Sequence, residues 1–490
     1  MIWNAERDVL APVPPDERLA GAPVGVGGVV ELAVAHLDAR VNTVAGFELA
    51  LDGLVRQAYL DRNALAASLS TAVGHRHTEE DTEADRLGPV DVVVATLLGR
   101  VPGYSLKPGY VRRPRGHEAC AQGGLELVIA ARVCEAGYAL LSGRPLPFLL
   151  ATPTWDTGAL DAAELVGRLA EYGRLGVRPG PADFGQALLR VRRDGPAASA
   201  AAGAAARLGT AEGDRLAVWL GPDGAPGPVV RRVVTPDPGA HRAWARTGAA
   251  VPQVAFAGGG RPVLLREFPD AFHRLGRPHE GFTQCYHWHE GHAVRASVLP
   301  EDRETQASWL LPGVTLAATA GDHGSAWMLP HLARLGGPAG PALHAAVAAG
   351  MGGRDPESRR PAVEALLVLA ARGELDTGLL GRELAAMAAL GTVKPNRLAD
   401  AARSAASAGA YATVWAVLAE VLPALLPSVR GAGEVLAVAA ECAERCGAAG
   451  PVPAGVAEVA ARPGSSRTTA GARRLSAALE GRRPAGAPRR

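Results

Sequence analysis

The stretch PAVEALLVLAARGELDTGLLGRELAAM, from Pro361 to Met387, carries two helical patterns on either side of Gly373. Apolar residues recur every three or four positions in each pattern, which is the spacing of one face of an α-helix. Glycine often ends a helix because it adopts a left-handed backbone without a steric clash. The stretch therefore predicts two helices joined by a short turn.

Four glycines extend this pattern through the C-terminal part of the chain at intervals of 37, 36 and 38 residues: Gly336, Gly373, Gly409 and Gly447. A period in the high thirties with two helices per unit resembles that of HEAT-type repeats. We expect a mainly α protein whose HEAT-like antiparallel helix pairs form an α-solenoid, most regular between about Gly324 and Cys446. An ordinary irregular helical bundle is the alternative.

The middle of the chain has a different pattern. Within Leu216–Leu220, Leu and Val alternate with Ala217 and Trp219, which predicts a strand, and the β-branched run Val229–Val234 predicts another. We therefore divide the chain into five segments. They are an irregular lead-in (1–27), an N-terminal helical region (28–212), a mixed segment with a few strands (213–316), a C-terminal helical-repeat region (317–462) and an Arg/Gly/Pro-rich tail, partly disordered (463–490).

One local signal predicts how a helix of the N-terminal region begins. Asp161 is followed three residues later by Glu164, which is the spacing of a capping box at the start of a helix. Pro181 fits the first turn of the next helix, because its missing N–H group has no partner there in any case.

The charge balance limits the classes of partner. The chain has 51 Lys and Arg residues against 49 Asp and Glu residues, a formal net charge of +2. This argues against a surface built for nucleic acid or anionic lipid. No run of about 18 apolar residues and no signal-peptide pattern is found. We expect a cytoplasmic protein with no membrane partner.

Two blocks of the sequence carry a resemblance to a known family. They contain LPFLLATPTW and GPADF, then LAARGELD, LLGREL, VKPNR and VWAVL: Leu146–Trp155, Gly180–Phe184, Leu369–Asp376, Leu379–Leu384, Val393–Arg397 and Val414–Leu418. These blocks resemble a family of large actinobacterial helical-repeat proteins of unknown function. The resemblance implies a helical-repeat fold and assigns no catalytic residue. It also implies a link to systems that contain a SWIM zinc finger or a MoxR-type ATPase.

The densest group of potential metal ligands lies between His279 and His292. Imidazole and thiolate are zinc ligands, so the candidate zinc site consists of Cys285, His287, His289 and His292. The spacing differs from the H-E-x-x-H pattern that brings two histidines together on a helix. A structural histidine cluster without metal is the alternative.

Two further motifs have ordinary structural explanations. Cys442 and Cys446 continue an apolar helical stripe, so we expect them to pack in the core as small hydrophobic residues. Gly258–Gly260 lacks the Lys-Ser/Thr ending of a phosphate-binding loop and is interpreted as a turn.

These patterns predict a binding surface and no reaction. We expect a non-enzymatic protein-binding scaffold or adaptor, with no catalytic or cofactor-binding residue. One alternative is a zinc-binding protein or metal-dependent enzyme that uses His279–His292. The other is a helical-repeat protein that binds nucleic acid, although the charge balance disfavours it.

Overall fold

The computed structural model of the protein describes residues 8–38, 43–74, 88–101, 106, 123–221, 229–234, 251–256, 268–273, 275, 292–320, 325–426 and 431–481. These residues are mainly helical, as the sequence predicts. Within them, no helix is both long enough and apolar enough to span a lipid bilayer.

Among its described residues, the first half of the chain contains eight helices: α1 (Val26–Asp38), α2 (Val44–Val73), α3 (Pro89–Leu97), α4 (Gly123–Leu141), α5 (Ala162–Leu175), α6 (Pro181–Arg190), α7 (Gly195–Ala206) and α8 (Ala211–Leu220). Helix α2 is kinked at Asp61, whose φ of −154° and ψ of 89° are not helical. The Asp61 carboxylate accepts a hydrogen bond from the Ala64 N–H at 2.9 Å, so it caps the second part of α2.

The other described elements begin with two paired strands. They are β1 (Val229–Val234), β2 (Val251–Phe256), α9 (Asp270–His273), α10 (His292–Ala296), α11 (Arg303–Ala320), a 3₁₀ turn (Ser325–Met328), α12 (Leu329–Arg334), α13 (Pro341–Met351), α14 (Pro356–Ala371), α15 (Thr377–Ala389), α16 (Pro395–Ser407), α17 (Tyr411–Leu425), α18 (Ala432–Arg445), α19 (Val456–Ala461) and α20 (Arg467–Leu479). The strands are antiparallel, with Val229 opposite Phe256 and Val234 opposite Val251.

The helices of the second half contact one another in an alternating order. Helix α13 contacts α11 and α15, and α15 contacts α17. In the same way α14, α16, α18 and α20 follow one another. Gly373, Gly391 and Gly409 follow helix ends with positive φ values of 69°, 76° and 102°, as predicted for helix C-termini.

The buried apolar residues form two large clusters that meet in α11. The first cluster lies among α1–α8 and includes Trp309 of α11. The second cluster includes Ala296 of α10 and Leu310 and Leu311 of α11, and it extends to Leu479 in α20. One helix therefore contributes consecutive residues to both cores.

The strand predicted at Leu216–Leu220 is wrong, because these residues end helix α8. The Thr210 hydroxyl accepts a hydrogen bond from the Gly213 N–H at 3.1 Å and caps this helix. Leu216, Trp219 and Leu220 are buried, at the spacing of a helix face. By contrast, the strand predicted at Val229–Val234 is confirmed as β1.

The capping box predicted at Asp161 is also not formed, although α5 begins at Ala162 as expected. The Asp161 carboxylate instead accepts a hydrogen bond from Trp155 Nε1 at 2.8 Å and forms an ion pair with Arg18 at 2.9 Å. Tertiary partners thus replace the local backbone partner.

Some helices cross the segment boundaries predicted from the sequence, and one lies within the predicted tail. Helix α8 crosses the boundary between 212 and 213, and α11 crosses the boundary between 316 and 317. Within the predicted tail, Arg467–Leu479 forms α20, which contacts α18. Residues 482–490 of that tail lie outside the described part of the chain.

Candidate binding cleft at the N-terminal strap

A non-helical N-terminal segment, Asp8–Ala22, lies across both halves of the protein, and we call it the strap. Its first anchor is on the second half. The Asp8 carboxylate accepts hydrogen bonds from the Ala412 N–H at 2.6 Å and the Thr413 N–H at 3.0 Å, in the first turn of α17. The Val9 N–H donates to the Gly409 carbonyl at 3.1 Å. A carboxylate is favoured here because the first N–H groups of a helix lack partners within it.

The second anchor of the strap is on the first half. The backbone of Glu17 exchanges hydrogen bonds with Asp156, and the Leu19 N–H donates to the Thr154 carbonyl at 2.9 Å. Asp16 forms an ion pair with Arg192 at 2.6 Å. These contacts fix the strap by both backbone and side-chain groups.

Trp155 is the aromatic centre of this second anchor. The Arg192 guanidinium lies 4.3 Å from the centre of its ring, and the Arg18 guanidinium lies 5.4 Å from it. An arginine over an aromatic face is stabilised by the negative potential of the ring. The strap is therefore held by stacking in addition to hydrogen bonds.

A cavity of about 230 Å³ opens beside the second anchor. Three arginines (Arg18, Arg56 and Arg168) and two acidic residues (Asp52 and Glu164) line it, together with residues of the segments Leu19–Ala22 and Thr152–Thr154. Arg56 pairs with Asp52 at 2.6 Å, and Arg168 pairs with Glu164 at 3.1 Å. The lining thus offers donors and acceptors with nearly balanced charge.

The first half also contains a network of buried charges. Glu48 forms ion pairs with Arg132 at 2.7 Å and with Arg190 at 2.6 Å, and Asp183 pairs with Arg132 at 2.8 Å. No side chain of this network is more than 2% exposed. Burial acts to raise the pKa of Glu48, but the two guanidinium groups outweigh it and lower that pKa overall. For Asp183, burial is the larger effect and raises the pKa.

Two members of this network, Asp183 and Arg190, together with Asp52 and Arg168, hold the loop Leu146–Trp155, one of the blocks that carry the family resemblance. A buried loop must pair its backbone N–H and C=O groups, because water cannot reach them. Carboxylates accept from the N–H groups of Leu149, Leu150 and Ala151, and guanidinium groups donate to the carbonyls of Leu150, Ala151 and Thr152. The donating and accepting side chains are Asp52, Asp183, Arg168 and Arg190. The network therefore fixes one wall of the cavity.

Glu135 is another buried carboxylate that pairs with backbone groups, at the start of α6. Its carboxylate accepts hydrogen bonds from the Ala182 and Asp183 N–H groups, both at 2.9 Å. Burial raises the pKa of Glu135 to about 7, against the opposing effect of these two bonds. Both oxygens are engaged by backbone groups, so this carboxyl positions α6.

The predicted zinc ligands are only partly within the described chain. Cys285, His287 and His289 lie outside the described residues. His292 begins α10, and its ring packs edge-on against Trp327, with ring centres 4.7 Å apart. Among the residues that the structure describes, no group of three His, Cys, Asp or Glu side chains could hold a metal ion.

The structure brings one further histidine to His292 that the sequence reasoning missed. The rings of His292 and His331 are 5.9 Å apart and nearly perpendicular. Burial lowers the pKa of His331 to about 4, so this imidazole is neutral at neutral pH. No local sequence signal links His331, in α12, to the segment His279–His292.

The remaining predicted motifs have structural roles or lie elsewhere. Cys442 and Cys446 are buried in the second core, as expected from their helical spacing. Burial raises the pKa of the Cys442 thiol to about 12, which leaves it protonated and unreactive. Gly258–Gly260 lies outside the described residues.

Comparison of the chain with protein-family models, with curated proteins and with solved structures finds no match. The resemblance to the actinobacterial helical-repeat family stays a prediction, as do the partners that it implies.

The sequence reasoning missed the strap contacts and the buried charges. The sequence contains a partial indication of the buried charges. Glu48 and Asp52 stand within the apolar stripe of α2, beside Phe47 and Leu51. A charged residue on a buried helix face needs a buried partner. The sequence does not identify that partner.

Proposed function

We propose that the protein is a non-enzymatic scaffold that binds an extended segment of a partner protein. The observation that carries the proposal is the strap. Both halves of the molecule hold a non-helical peptide segment of the same chain through backbone hydrogen bonds, ion pairs and arginine–tryptophan stacking. A surface that binds one such segment has the chemistry to bind another of similar character.

The second half supports the scaffold proposal through its helix contacts. Alternate helices contact one another from α11 to α20, as expected for HEAT-like helix pairs stacked in an α-solenoid. Such stacking buries a continuous core and leaves an elongated outer surface. We propose that this surface extends the area available to the partner.

The pairing of the charged side chains around the cavity favours binding over catalysis. The carboxylates nearest the cavity are committed to ion pairs or backbone N–H groups. Arg168, which lines the cavity, likewise donates to carbonyl groups of the loop. Side chains held in this way position a surface, whereas a general base needs a free lone pair beside a substrate.

Site-specific photo-crosslinking tests the proposal. A photoreactive residue at Ala20, on the strap beside the cavity, is compared in the native host with one at Val218, which is exposed on α8. We expect the Ala20 position to give a defined crosslinked partner that the Val218 position does not give. The same partner, once purified, should bind the purified chain in calorimetry. Identical crosslinking at both positions, or no binding by the purified partner, would contradict the proposal.

A further inference from the structure

The strap also indicates which kind of segment the protein recognises. We propose that Gly409–Thr413, which we call the α17 corner, is a docking site for partner segments with an aspartate followed two residues later by leucine. In the free chain its own Asp8-Val9-Leu10 occupies this site and competes with the partner. The inference rests on the proposed scaffold function and names the partner motif for it.

The α17 corner is built to receive a carboxylate from elsewhere. Its N-cap position is Ala410, which has no side-chain acceptor and makes no cap hydrogen bond. Helix α15, by comparison, is capped by its own Asp376, and α20 by its own Ser466. Alanine is among the poorest N-cap residues because it leaves the first N–H groups unpaired. Asp8 meets this need from 404 residues away in the chain.

A second contact accepts the backbone of the bound segment. The Val9 N–H donates to the Gly409 carbonyl, and a Cβ on Gly409 would collide with the carbonyl oxygen of Val9. Gly409 has a φ of 102°, which side-chain-bearing residues rarely adopt. The corner is therefore shaped for close approach of a peptide backbone.

The third contact sets the spacing of the motif. Leu10 packs against the second apolar core, whereas the side chain of Val9 is 83% exposed. Alternation of inward and outward side chains is the pattern of an extended peptide. Aspartate and leucine two residues apart therefore carry the recognition, and the residue between them is free to vary.

The contact is suited to displacement, because it consists of one carboxylate, one backbone hydrogen bond and one leucine. The strap residues 11–15 between the anchors are mostly exposed, and they tether the motif to the second anchor. A short tether gives an effective concentration on the order of 1 mM. If the free segment binds with a Kd of about 100 µM, self-occupation weakens the binding of a partner about tenfold.

Fluorescence anisotropy with a labelled peptide of residues 6–15 (ERDVLAPVPP) tests the inference. The peptide is titrated with the full chain and with a double variant, Asp8→Asn and Leu10→Ala, in which the self-contact is weakened. We expect the double variant to bind the peptide about tenfold more tightly than the unchanged chain. Peptides carrying D8N or L10A should bind the double variant at least about tenfold more weakly, by loss of a charged hydrogen bond or of leucine burial. The V9A peptide is the matched control and should bind as the original does.

Adding Gly409→Ala to the double variant should abolish peptide binding, because the new Cβ occupies the position of the Val9 carbonyl. Equal affinity of the double variant and the unchanged chain would overturn the inference, as would equal binding of the D8N and original peptides. These peptide comparisons hold even if Gly409→Ala fails to fold. A crosslinked partner that this peptide does not displace would leave the scaffold proposal standing and defeat only the inference. Peptide binding to the double variant, when no crosslinked partner is found, would support the docking site at the α17 corner and contradict the scaffold proposal.

Discussion

Glu48 is the residue on which the buried charges of the first half converge. Its two oxygens face Arg132 and Arg190, and neither guanidinium is exposed by more than 2%. Removing charges from water is costly, and their mutual attraction offsets this cost only while every partner is present. The network therefore depends on each of its members more strongly than a surface ion pair does.

Neutralising Glu48 should strongly destabilise the fold. In Glu48→Gln two buried guanidinium groups lose their shared counter-charge, so we expect the free energy of unfolding to fall by about 3–5 kcal/mol. Urea denaturation followed by circular dichroism measures this change. Glu171→Gln, which removes the partner of Arg174 on the surface, is the control and should leave the urea midpoint unchanged. An equal, small effect of both variants would be inconsistent with a buried network.

Glu301 should make stability depend on pH. Burial raises its pKa from the ordinary value of 4.5 to about 8. The nearby charges of Arg192 and Arg303 lower this pKa, whereas those of Asp194 and Asp16 raise it further. Between these two values the folded chain retains a proton that the unfolded chain releases. The free energy of unfolding therefore has its full Glu301 contribution below pH 4.5 and loses it as pH rises towards 8.

Glu301→Gln should remove this dependence. Relative to the unchanged chain, the variant should have a similar stability at pH 4 and a higher stability at pH 8. Urea midpoints of both proteins at pH 4, 6 and 8 provide the measurement. A difference between the two proteins that does not vary with pH would show that Glu301 ionises normally in the folded chain.

Among the elements, the helices of the second half differ in how they begin. The Asp376 carboxylate accepts a hydrogen bond from the Leu379 N–H at 2.8 Å and caps α15 from within its own sequence. Helix α13 is instead capped by Glu304, whose carboxylate accepts from the Gly340, Ala342 and Leu343 N–H groups. Remote caps join elements together, whereas local caps stabilise only their own helix.

Loss of the local cap should have a moderate effect. Asp376→Ala leaves the Leu379 N–H without its side-chain acceptor, so we expect a loss of about 1 kcal/mol in the free energy of unfolding. Thermal and urea denaturation measure it. Asp376→Asn keeps an acceptor oxygen and should lose much less. If the two substitutions are equally destabilising, the carboxylate does more than cap α15.

At the scale of the whole molecule, several contacts among the described residues join the two halves. Helix α11 contributes Trp309 to the first core and Leu310 to the second. The strap binds both halves, and Glu301 lies 3.7 Å from the strap partner Arg192. The halves therefore share a helix, a peptide segment and a contact between Glu301 and Arg192, so we expect them to be stable or unstable together.

Trp309 tests this coupling. Trp309→Ala leaves a cavity where the shared helix meets the first core, at a cost of about 3–5 kcal/mol. Hydrogen exchange measured by mass spectrometry should report faster exchange in α6 of the first half and also in α13 of the second half. Trp415→Ala, in the second core alone, is the matched comparison and should likewise speed exchange in both halves. Faster exchange confined to the first half after Trp309→Ala would mean that the halves unfold independently.

The sequence determined those features that depend on residues a few positions apart. The helical stripes around Gly373 and the glycine-terminated helix ends belong to this class, because hydrogen bonds within a turn or a helix form them. The β-branched run Val229–Val234 shows a local preference for a strand, although its hydrogen bonds are made to the separate strand β2. A five-residue window was too short at Leu216–Leu220, where helical and strand periods overlap. The tertiary structure alone decided the partner of Glu48, the cap of α17 and the contacts of Asp161. Glu48 and Arg190 are 142 positions apart, and Asp8 and Ala412 are 404 apart. Such contacts arise only when the packed cores bring distant segments together, and the candidate cleft consists largely of them.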